Sequence, residues 1–228
     1  MARERPWPET SLMASLSAAE RQELLSAGTP VRFGRGEILL RQGEPGGMLF
    51  VVVAGFAKVT AAAAGSDVML ALRGRGDLLG EFTVIDDKPR TATVVAIGAL
   101  AAVRIGRGRF MAFCDQNPAA NRKIMQSLTD KVRRASDRRA AAGAADARVR
   151  IAAVLCDLAV EHGAARPDGS LLLPPLAQAE LGAFAAVAGS TVERVMHDLR
   201  AKGIVASGYR KTVVLDLAAL RAMAELVP

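Results

Sequence analysis

Cysteine and histidine are scarce in this chain of 228 residues, which contains two of each. Cys114 and Cys156 lie far apart and outside any CxxC pattern, so the sequence predicts small buried thiols and neither a disulfide framework nor a structural zinc site. His162 and His197 belong to no Ser/His/Asp constellation, and the sequence contains no Walker loop. These absences predict a protein without a metal and without enzymatic activity.

Long apolar runs are also missing from the sequence. No run approaches the roughly 20 residues that a helix needs to span a bilayer. Residues 1–10 are polar and lack a hydrophobic signal region, so we expect a cytoplasmic protein with no membrane partner. A chain of 228 residues is long for one small core and suits two units of about 100 residues each.

The net charge of +7 is distributed unevenly along the chain. Residues 1–121 carry 14 basic and 12 acidic side chains, residues 122–150 carry 9 and 3, and residues 151–228 carry 7 and 8. The basic excess therefore lies in the middle of the chain, where a solvated helix face explains it as well as a nucleic acid does. Global charge alone does not predict DNA binding.

Residues 80–92 combine glycine, a carboxylate and a guanidinium within one short segment. Gly80 permits a close approach to the main chain, and Glu81 is an acceptor suited to a ribose hydroxyl. Arg90 offers a planar fork of donors to phosphate oxygens, and the Thr91 hydroxyl lies beside it. An acceptor for a sugar and donors for a phosphate predict a nucleotide pocket, whereas the alternative is a surface turn with an incidental arginine.

Residues 31–103 consist of short apolar runs separated by glycine. This pattern predicts an antiparallel β-roll or barrel with strands at Ile38–Leu40, Met48–Val53, Ala57–Thr60, Val68–Leu72 and Thr93–Ala96. The segment 80–92 falls between two of these strands. The chain here resembles the cyclic-nucleotide-binding domain, in which Gly-Glu-apolar followed by Arg-(Ser/Thr)-Ala forms the phosphate-binding cassette. Arg-Gln-Gly-Glu at 41–44 and Val-Ala-Gly at 53–55 match that family's structural glycines.

A long helix is predicted after the Asn117-Pro118 start signal. Its apolar residues recur at the spacings of three and four that are typical of the seam between two paired helices. They are Met125, Leu128, Val132 and Ala135. The alanine-rich stretch 140–145 contains Gly143, and glycine costs about 1 kcal/mol relative to alanine inside a helix. We therefore expect a hinge in this stretch.

Two short amphipathic helices are predicted at residues 178–185 and 190–200, with apolar faces formed by Leu181, Phe184, Val192, Val195, Met196 and Leu199. Ser190, with Glu193 three residues later, predicts a capping box at the start of the second helix. Residues 203–206 and 212–215 flank the basic tip 207–211, which predicts a β-hairpin wing. An ordinary helical hairpin is the alternative to a helix-turn-helix.

Gln-x-Glu-Leu-Gly at 178–182 and Ser-Thr-Val-x-Arg at 190–194 resemble the winged helix-turn-helix of Crp/Fnr regulators. With the β-roll, the resemblance covers roughly residues 12–217. It implies an α+β fold with a tail at 1–11, a cyclic-nucleotide-binding β-roll (jelly roll) at 12–117, a long dimerisation helix and hinge at 118–145, and a winged helix-turn-helix at 146–228. The implied function is that of a cyclic-nucleotide-responsive, sequence-specific transcriptional regulator. Some relatives sense oxygen or gas through an iron–sulfur cluster or haem, and this sequence lacks both ligand sets.

The resemblance also assigns residues to two sites. Glu81 is expected on the ribose 2′-hydroxyl, and the other ligand-binding positions are the main chain of Gly80 and Phe82, Arg90 and Thr91 on the phosphate, and Ser136 near the purine. The expected DNA-binding positions are Gln178, Gly189, Ser190, Thr191, Arg194, Arg210 and Lys211. Residues 190–211 carry five basic and two acidic side chains, a local excess that suits phosphate contacts.

Two departures from the family pattern leave specificity open. Gly189 and Ser190 stand where many members have Arg-Glu on the recognition helix, so the operator cannot be carried over. Ala135 and Ser136 stand where cyclic-AMP receptors have Thr-Ser or Thr-Asn. Cyclic AMP is the first expectation for the effector, with cyclic GMP or a cyclic dinucleotide as alternatives.

The resemblance implies double-stranded DNA, a second copy of the chain and RNA polymerase as macromolecular partners. Two further alternatives remain at this point. The protein binds DNA without a ligand, or the β-roll is a regulatory module of an enzyme.

Overall fold

A computed structural model describes residues 6–63, 66–144 and 146–224. The chain divides into two compact units, one with residues up to 62 and 71–133, the other with residues 63–70 and 134 onwards. In the described ranges, none of the helices combines the length and apolar character needed to cross a bilayer.

The chain up to residue 144 forms two four-stranded sheets with helices before, between and after the strands. The sheets have the strand orders β1-β8-β3-β6 and β2-β7-β4-β5. The elements are α1 (Leu12–Ser15), α2 (Ala18–Ser26), β1 (Thr29–Phe33), β2 (Ile38–Leu40), β3 (Met48–Ala54), β4 (Ala57–Ala63), β5 (Ser66–Arg73), β6 (Leu78–Leu79), α3 (Glu81–Asp86), β7 (Thr93–Ala96), β8 (Leu100–Gly106), α4 (Arg107–Gln116) and α5 (Pro118–Ala144). All five predicted strands are present, as β2, β3, β4, β5 and β7.

Strand β3 is buried on both faces, which explains its uninterrupted apolar sequence. Because successive side chains of a strand point to opposite faces, Phe50 and Val52 enter one core and Leu49 and Val51 another. The first core contains residues of both sheets: Leu39, Leu40, Val94, Ala96, Leu100 and Ala102. The second core joins the strand to the helices through Met13, Leu24, Phe110, Phe113 and Ile124.

Residues 6–11, predicted as a tail outside the domain, pack against the first unit. The Arg75 guanidinium lies 3.9 Å from the centre of the Trp7 ring, and its Nη1 donates to the Pro6 carbonyl at 2.7 Å. Ser11 is 6% exposed and its side chain caps α1 by accepting from the Ala14 amide. No sequence pattern indicated this anchoring, because it depends on an arginine that is distant in the chain.

Helix α5 presents its apolar residues to two different surroundings. Ile124 is buried and Leu128 is packed against the core of the first unit. Met125 and Val132 are 52% and 53% exposed, and Ala135 is exposed as well. The helix continues through Gly143 to Ala144. Ala145 lies outside the described residues, so the hinge at 140–145 stays a prediction.

The second part of the chain contains a helix-turn-helix and a small antiparallel sheet with the order β11-β12-β10-β9. Arg150 of the first of its helices donates from Nε to the Ala185 carbonyl at 3.1 Å and thereby holds the turn of the motif. The elements are α6 (Ala147–His162), β9 (Ala164–Ala165), β10 (Leu171–Leu172), α7 (Gln178–Ala185), α8 (Gly189–Ala201), β11 (Val205–Gly208), β12 (Lys211–Val214) and α9 (Leu217–Ala224).

Both cysteines are free and buried, as predicted. Burial raises the pKa of the Cys114 thiol to about 11, with a smaller contribution from the nearby Asp115 carboxylate. Cys114 is therefore protonated at neutral pH and acts as a small apolar side chain of the core.

Candidate ligand site and nucleic-acid interface

The chain turns sharply at Gly80, between β6 and α3. Gly80 has a φ of 85°, in the left-handed region that favours glycine. A Cβ atom there would lie 2.5 Å from Arg90 Nη1 and 2.7 Å from Leu40 Cδ1. Glycine is therefore needed at this position both for its backbone conformation and for the close approach of the Arg90 guanidinium.

Arg90 is held deep in the β-roll. Its side chain is buried, with the residue 5% exposed, and it donates from Nη1 to the Gly80 carbonyl at 2.8 Å and from Nη2 to the Met48 carbonyl at 2.6 Å. Its own amide donates to the Glu44 carbonyl, and its carbonyl accepts from the Gly43 amide, both at 2.9 Å. These bonds hold the main chain and the guanidinium in one place.

Among the described residues, the charge on Arg90 has no direct counter-ion. We find no ion pair between Arg90 and a carboxylate in the part of the chain that the structure describes. Burial lowers the pKa of Arg90, and the carboxylates of Glu81 and Glu44 act in the opposite direction. A guanidinium has five N–H donors, and two of those of Arg90 are used in the bonds to the Gly80 and Met48 carbonyls. The remaining donors suit an anion.

Glu81 is 3% exposed and forms a buried ion pair that the sequence analysis missed. Lys131 Nζ lies 2.7 Å from Glu81 Oε1 and also donates to the Leu78 carbonyl at 2.9 Å. Lys131 is on the same face of α5 as the core residues Ile124 and Leu128, at spacings of four and three. A lysine in register with two core-facing residues was the only signal of this contact.

The other predicted ligand residues lie at the surface. Phe82 is 39% exposed, Thr91 is exposed beside Arg90, and Ser136 is exposed on α5, five residues after Lys131. Thr83, which the sequence did not single out, is buried instead. Its Cγ2 atom would lie 1.9 Å from a Cβ atom at Gly46, so the loop before β3 closes tightly over α3.

Helix α8 begins at Gly189, with Ala188 as its N-cap and no side-chain hydrogen bond at that cap. The predicted Ser190–Glu193 capping box is therefore wrong. The preceding turn sets the start of the helix, because Ala186 has a φ of 51° and the Thr191 and Val192 amides already donate to the Ala188 carbonyl at 3.0 and 3.1 Å. A capping carboxylate is found on α7, where Glu180 Oε2 accepts from the Ala177 amide at 2.8 Å.

Helix α8 has one buried and one exposed face. Val192, Val195, Met196 and Leu199 are buried, as predicted. The predicted residues Gly189, Ser190 and Arg194 are exposed, Thr191 is partly buried, and Gln178 is exposed at the start of α7. His197, which the sequence analysis did not assign to this surface, is exposed one turn after Arg194 and on the same face.

The predicted wing is a two-stranded hairpin with a two-residue turn. Gly208 of β11 faces Lys211 of β12, so Tyr209 and Arg210 form the turn. Tyr209 is 89% exposed and Lys211 is exposed. Arg210 was predicted to contact DNA together with Lys211. Its side chain is only 15% exposed, and its Nη2 lies 3.2 Å from Glu180 Oε2.

Family models match both halves of the chain. The model of the cyclic nucleotide-binding domain matches residues 30–117, and the model of the Crp-like helix-turn-helix domain matches residues 149–223. Among curated proteins, the chain is similar to the CRP-like cAMP-activated global transcriptional regulator of Mycobacterium tuberculosis. The two are 25% identical over 188 residues, which cover 82% of this chain and 84% of the relative.

Solved structures of similar fold include two regulators. One is a CRP/FNR family transcriptional regulator from Thermus thermophilus, with a TM-score of 0.72 and 24% identity over 88% of this chain and 100% of that chain. The other is the c-di-GMP responsive global regulator CLP from Xanthomonas campestris, with a TM-score of 0.71 and 19% identity over the same shares, 88% and 100%. At these identities the likeness concerns the fold.

These matches confirm the predicted fold class of a β-roll, a long helix and a helix-turn-helix domain. The same matches confirm the prediction of a transcriptional regulator that responds to a cyclic nucleotide. The chain belongs to the Crp/Fnr family of transcriptional regulators, with a cyclic-nucleotide-binding domain in its first half and a Crp-like helix-turn-helix domain in its second.

Proposed function

We propose that this protein is a homodimeric transcription factor that binds cyclic AMP between Glu81 and Arg90 and DNA through α8 and the wing. It catalyses no reaction, and it acts in the cytoplasm on the DNA that it regulates. RNA polymerase is its further partner when it regulates transcription. The observation that carries the ligand half is the buried Arg90, whose charge has no carboxylate partner among the described residues.

A buried guanidinium without a counter-ion supports an anion site. Burying a charge is costly unless it is paired, so an entering phosphate gains from a cation that is already desolvated and fixed by two carbonyls. The exposed hydroxyl of Thr91 supplies a second donor beside Arg90. The main chain at Gly80 and Phe82 completes the phosphate end of the site.

The ribose end of the site contains Glu81 and Lys131. The ribose 2′-hydroxyl donates to the Glu81 carboxylate, one oxygen of which already accepts from Lys131 Nζ at 2.7 Å. A new donor at this carboxylate weakens or redirects the ion pair with α5. Lys131 therefore connects occupancy of the site to α5, the helix that we assign to dimerisation.

The proposal also concerns which base of the nucleotide the site selects. Ser136 provides a hydroxyl for the purine, while Ala135 provides no hydrogen-bonding group. The similarity to a cAMP-activated regulator supports cyclic AMP. The likeness in fold to a c-di-GMP responsive regulator keeps a cyclic dinucleotide as a second ligand to test, together with cyclic GMP.

The exposed face of α8 supports DNA binding. Gly189, Ser190, Thr191, Arg194 and His197 lie at or near this face, and we propose that they meet base edges and phosphates in the major groove. Lys211 and Gln178 contribute phosphate contacts from the wing and the start of α7. In a dimer, two such helices about 34 Å apart reach successive major grooves.

A regulator that needs no ligand is the second candidate. It is favoured by the protein partners that Glu81 and Arg90 already have, Lys131 for the first and two main-chain carbonyls for the second. DNA binding that is equal with and without each nucleotide supports this candidate.

Calorimetric titration tests the ligand half. Cyclic AMP, cyclic GMP and a cyclic dinucleotide are titrated into the wild type, Arg90→Ala and Arg104→Ala, a matched control because Arg104 is exposed on β8. We expect one nucleotide to bind and Arg90→Ala to weaken it at least tenfold, since a hydrogen bond to a charged group contributes about 1.5–3 kcal/mol and about 1.4 kcal/mol is tenfold. Arg104→Ala leaves the affinity unchanged.

Thr91→Ala removes an exposed hydroxyl and is expected to weaken binding several-fold while leaving the fold intact. This variant therefore still tests the phosphate site if Arg90→Ala unfolds the β-roll. Binding that is unchanged in a folded Arg90→Ala protein contradicts the assignment of the phosphate site.

A further inference from the structure

Arg210 combines two features that are unusual for a DNA-contacting residue at the tip of a wing. It is the second residue of the turn, and its φ of 50° lies in the left-handed region that side chains other than glycine and asparagine rarely adopt. Its side chain is 15% exposed, whereas the neighbouring Tyr209 is 89% exposed. The backbone of the turn therefore directs Arg210 inward and Tyr209 outward.

The partner of Arg210 is Glu180, in the first turn of α7. One oxygen of this carboxylate, Oε2, accepts both from Arg210 Nη2 at 3.2 Å and from the Ala177 amide at 2.8 Å. The amide bond fixes the carboxylate at the start of the helix. The ion pair consequently joins the tip of the wing to the capped end of the helix-turn-helix.

The wing and α7 are not closely packed where the ion pair crosses. A cavity of about 40 Å³ lies there, lined among others by Gln178, Leu181, Met196 and Gly208. A cavity forfeits the contacts that close packing would provide, and the ion pair links the wing tip to α7 beside it. Arg200 Nη1, which donates to Ser207 Oγ at 3.3 Å, adds a contact from α8.

We propose that Arg210 is a positioning residue, whose ion pair with Glu180 sets the wing against the helix-turn-helix and leaves Lys211 and Tyr209 to meet DNA. This inference rests on the proposed DNA-binding function. It differs from the expectation drawn from the sequence, in which Arg210 and Lys211 both neutralise phosphates.

The salt dependence of binding separates the two roles. Each phosphate that a side chain neutralises contributes about 0.9 to the slope of log K against log salt, while a positioning residue contributes nothing to it. The full-length protein is titrated against a fluorescently labelled duplex of random sequence at several KCl concentrations. The variants are Arg210→Gly, which keeps the left-handed turn, Glu180→Gln, which keeps an acceptor for the Ala177 amide, and Lys211→Gln as the matched control.

We expect Lys211→Gln to lower the slope by about 0.9. Arg210→Gly and Glu180→Gln are expected to keep the wild-type slope and to weaken binding several-fold at every salt concentration. Because both act on one ion pair, the double variant binds no more weakly than either single variant. Hydrogen exchange of β11 and β12 in the free protein is expected to be faster in both single variants than in the wild type or Lys211→Gln.

A slope for Arg210→Gly that falls as far as that for Lys211→Gln overturns the inference, because Arg210 is then a phosphate contact. Unchanged affinity and unchanged hydrogen exchange in Arg210→Gly overturn it as well. A wild-type protein that shows no salt-dependent binding to any duplex contradicts the proposed DNA-binding function itself, and hydrogen exchange then still tests the role of the ion pair.

Discussion

Lys131 and Glu81 form an ion pair whose side chains are 7% and 4% exposed. Removing one partner of such a pair leaves an uncompensated buried charge, which costs about 3–5 kcal/mol. We therefore expect Lys131→Met to lower the free energy of unfolding by about this amount. Lys131→Met/Glu81→Gln is expected to recover part of the loss, since neither position of the former pair then carries a charge. Urea denaturation followed by circular dichroism measures both effects.

The matched control for this prediction is Lys123→Met. Lys123 Nζ lies 3.1 Å from Glu20 Oε2, and the Lys123 side chain is 30% exposed, so this pair contributes at most about 1 kcal/mol. Equal destabilisation by Lys131→Met and Lys123→Met would mean that burial adds nothing to the Glu81 pair.

At the residue scale, the sequence singled out Glu81 and Arg90 as candidate ligand residues, a prediction that stays open, but it did not indicate their protein partners. Both residues belong to a short motif, so neighbouring residues were enough to single them out. Lys131 is 50 positions from Glu81, and Glu180 is 30 positions from Arg210. Such contacts depend on how α5 and the wing pack. The register of Lys131 with Ile124 and Leu128 places it on the core-facing side of α5, but no local pattern indicates its partner.

At the scale of single elements, the start of α8 shows how a local signal fails. Ser190 followed by Glu193 has the spacing of a capping box, yet the turn after α7 starts the helix at Gly189. Tertiary packing of the turn therefore outweighs the local preference. The five predicted strands are present, whereas β1 and β8 were not among them. The apolar pattern of β1 is interrupted by Pro30 and the exposed Arg32.

The position of Ser190 leads to a stability prediction. Because Ser190 lies inside the first turn of α8, we expect Ser190→Ala to change the free energy of unfolding by less than about 0.5 kcal/mol. Ser17→Ala is the control, since Ser17 caps α2 in a capping box with Glu20 and should cost about 1 kcal/mol. Thermal denaturation of both variants provides the comparison. A larger loss of stability for Ser190→Ala would mean that Ser190 does cap α8.

At the scale of the whole molecule, the exposed apolar residues of α5 lead to a prediction about how two copies of the chain associate. Met125 and Val132 are 52% and 53% exposed and are seven residues apart, as in the seam of a paired helix. We expect Val132→Glu to weaken a homodimer at least tenfold, because the two copies of the carboxylate would meet in the seam. Analytical ultracentrifugation over a range of concentrations measures the change.

Gln126→Glu is the control for the dimer, because it adds the same charge to an exposed position of α5 outside the seam. Its sedimentation should match the wild type. A Val132→Glu protein that also sediments like the wild type would exclude this face of α5 as the dimer interface.

The chain contains one tryptophan and one tyrosine, and each lies in a different half of it. Trp7 lies against the Arg75 guanidinium near the start of the chain, and Tyr209 projects from the tip of the wing. The indole and the phenol absorb and emit light differently, so the two ends of the protein carry separate intrinsic optical reporters. A spectroscopist can follow each half in real time without attaching a dye.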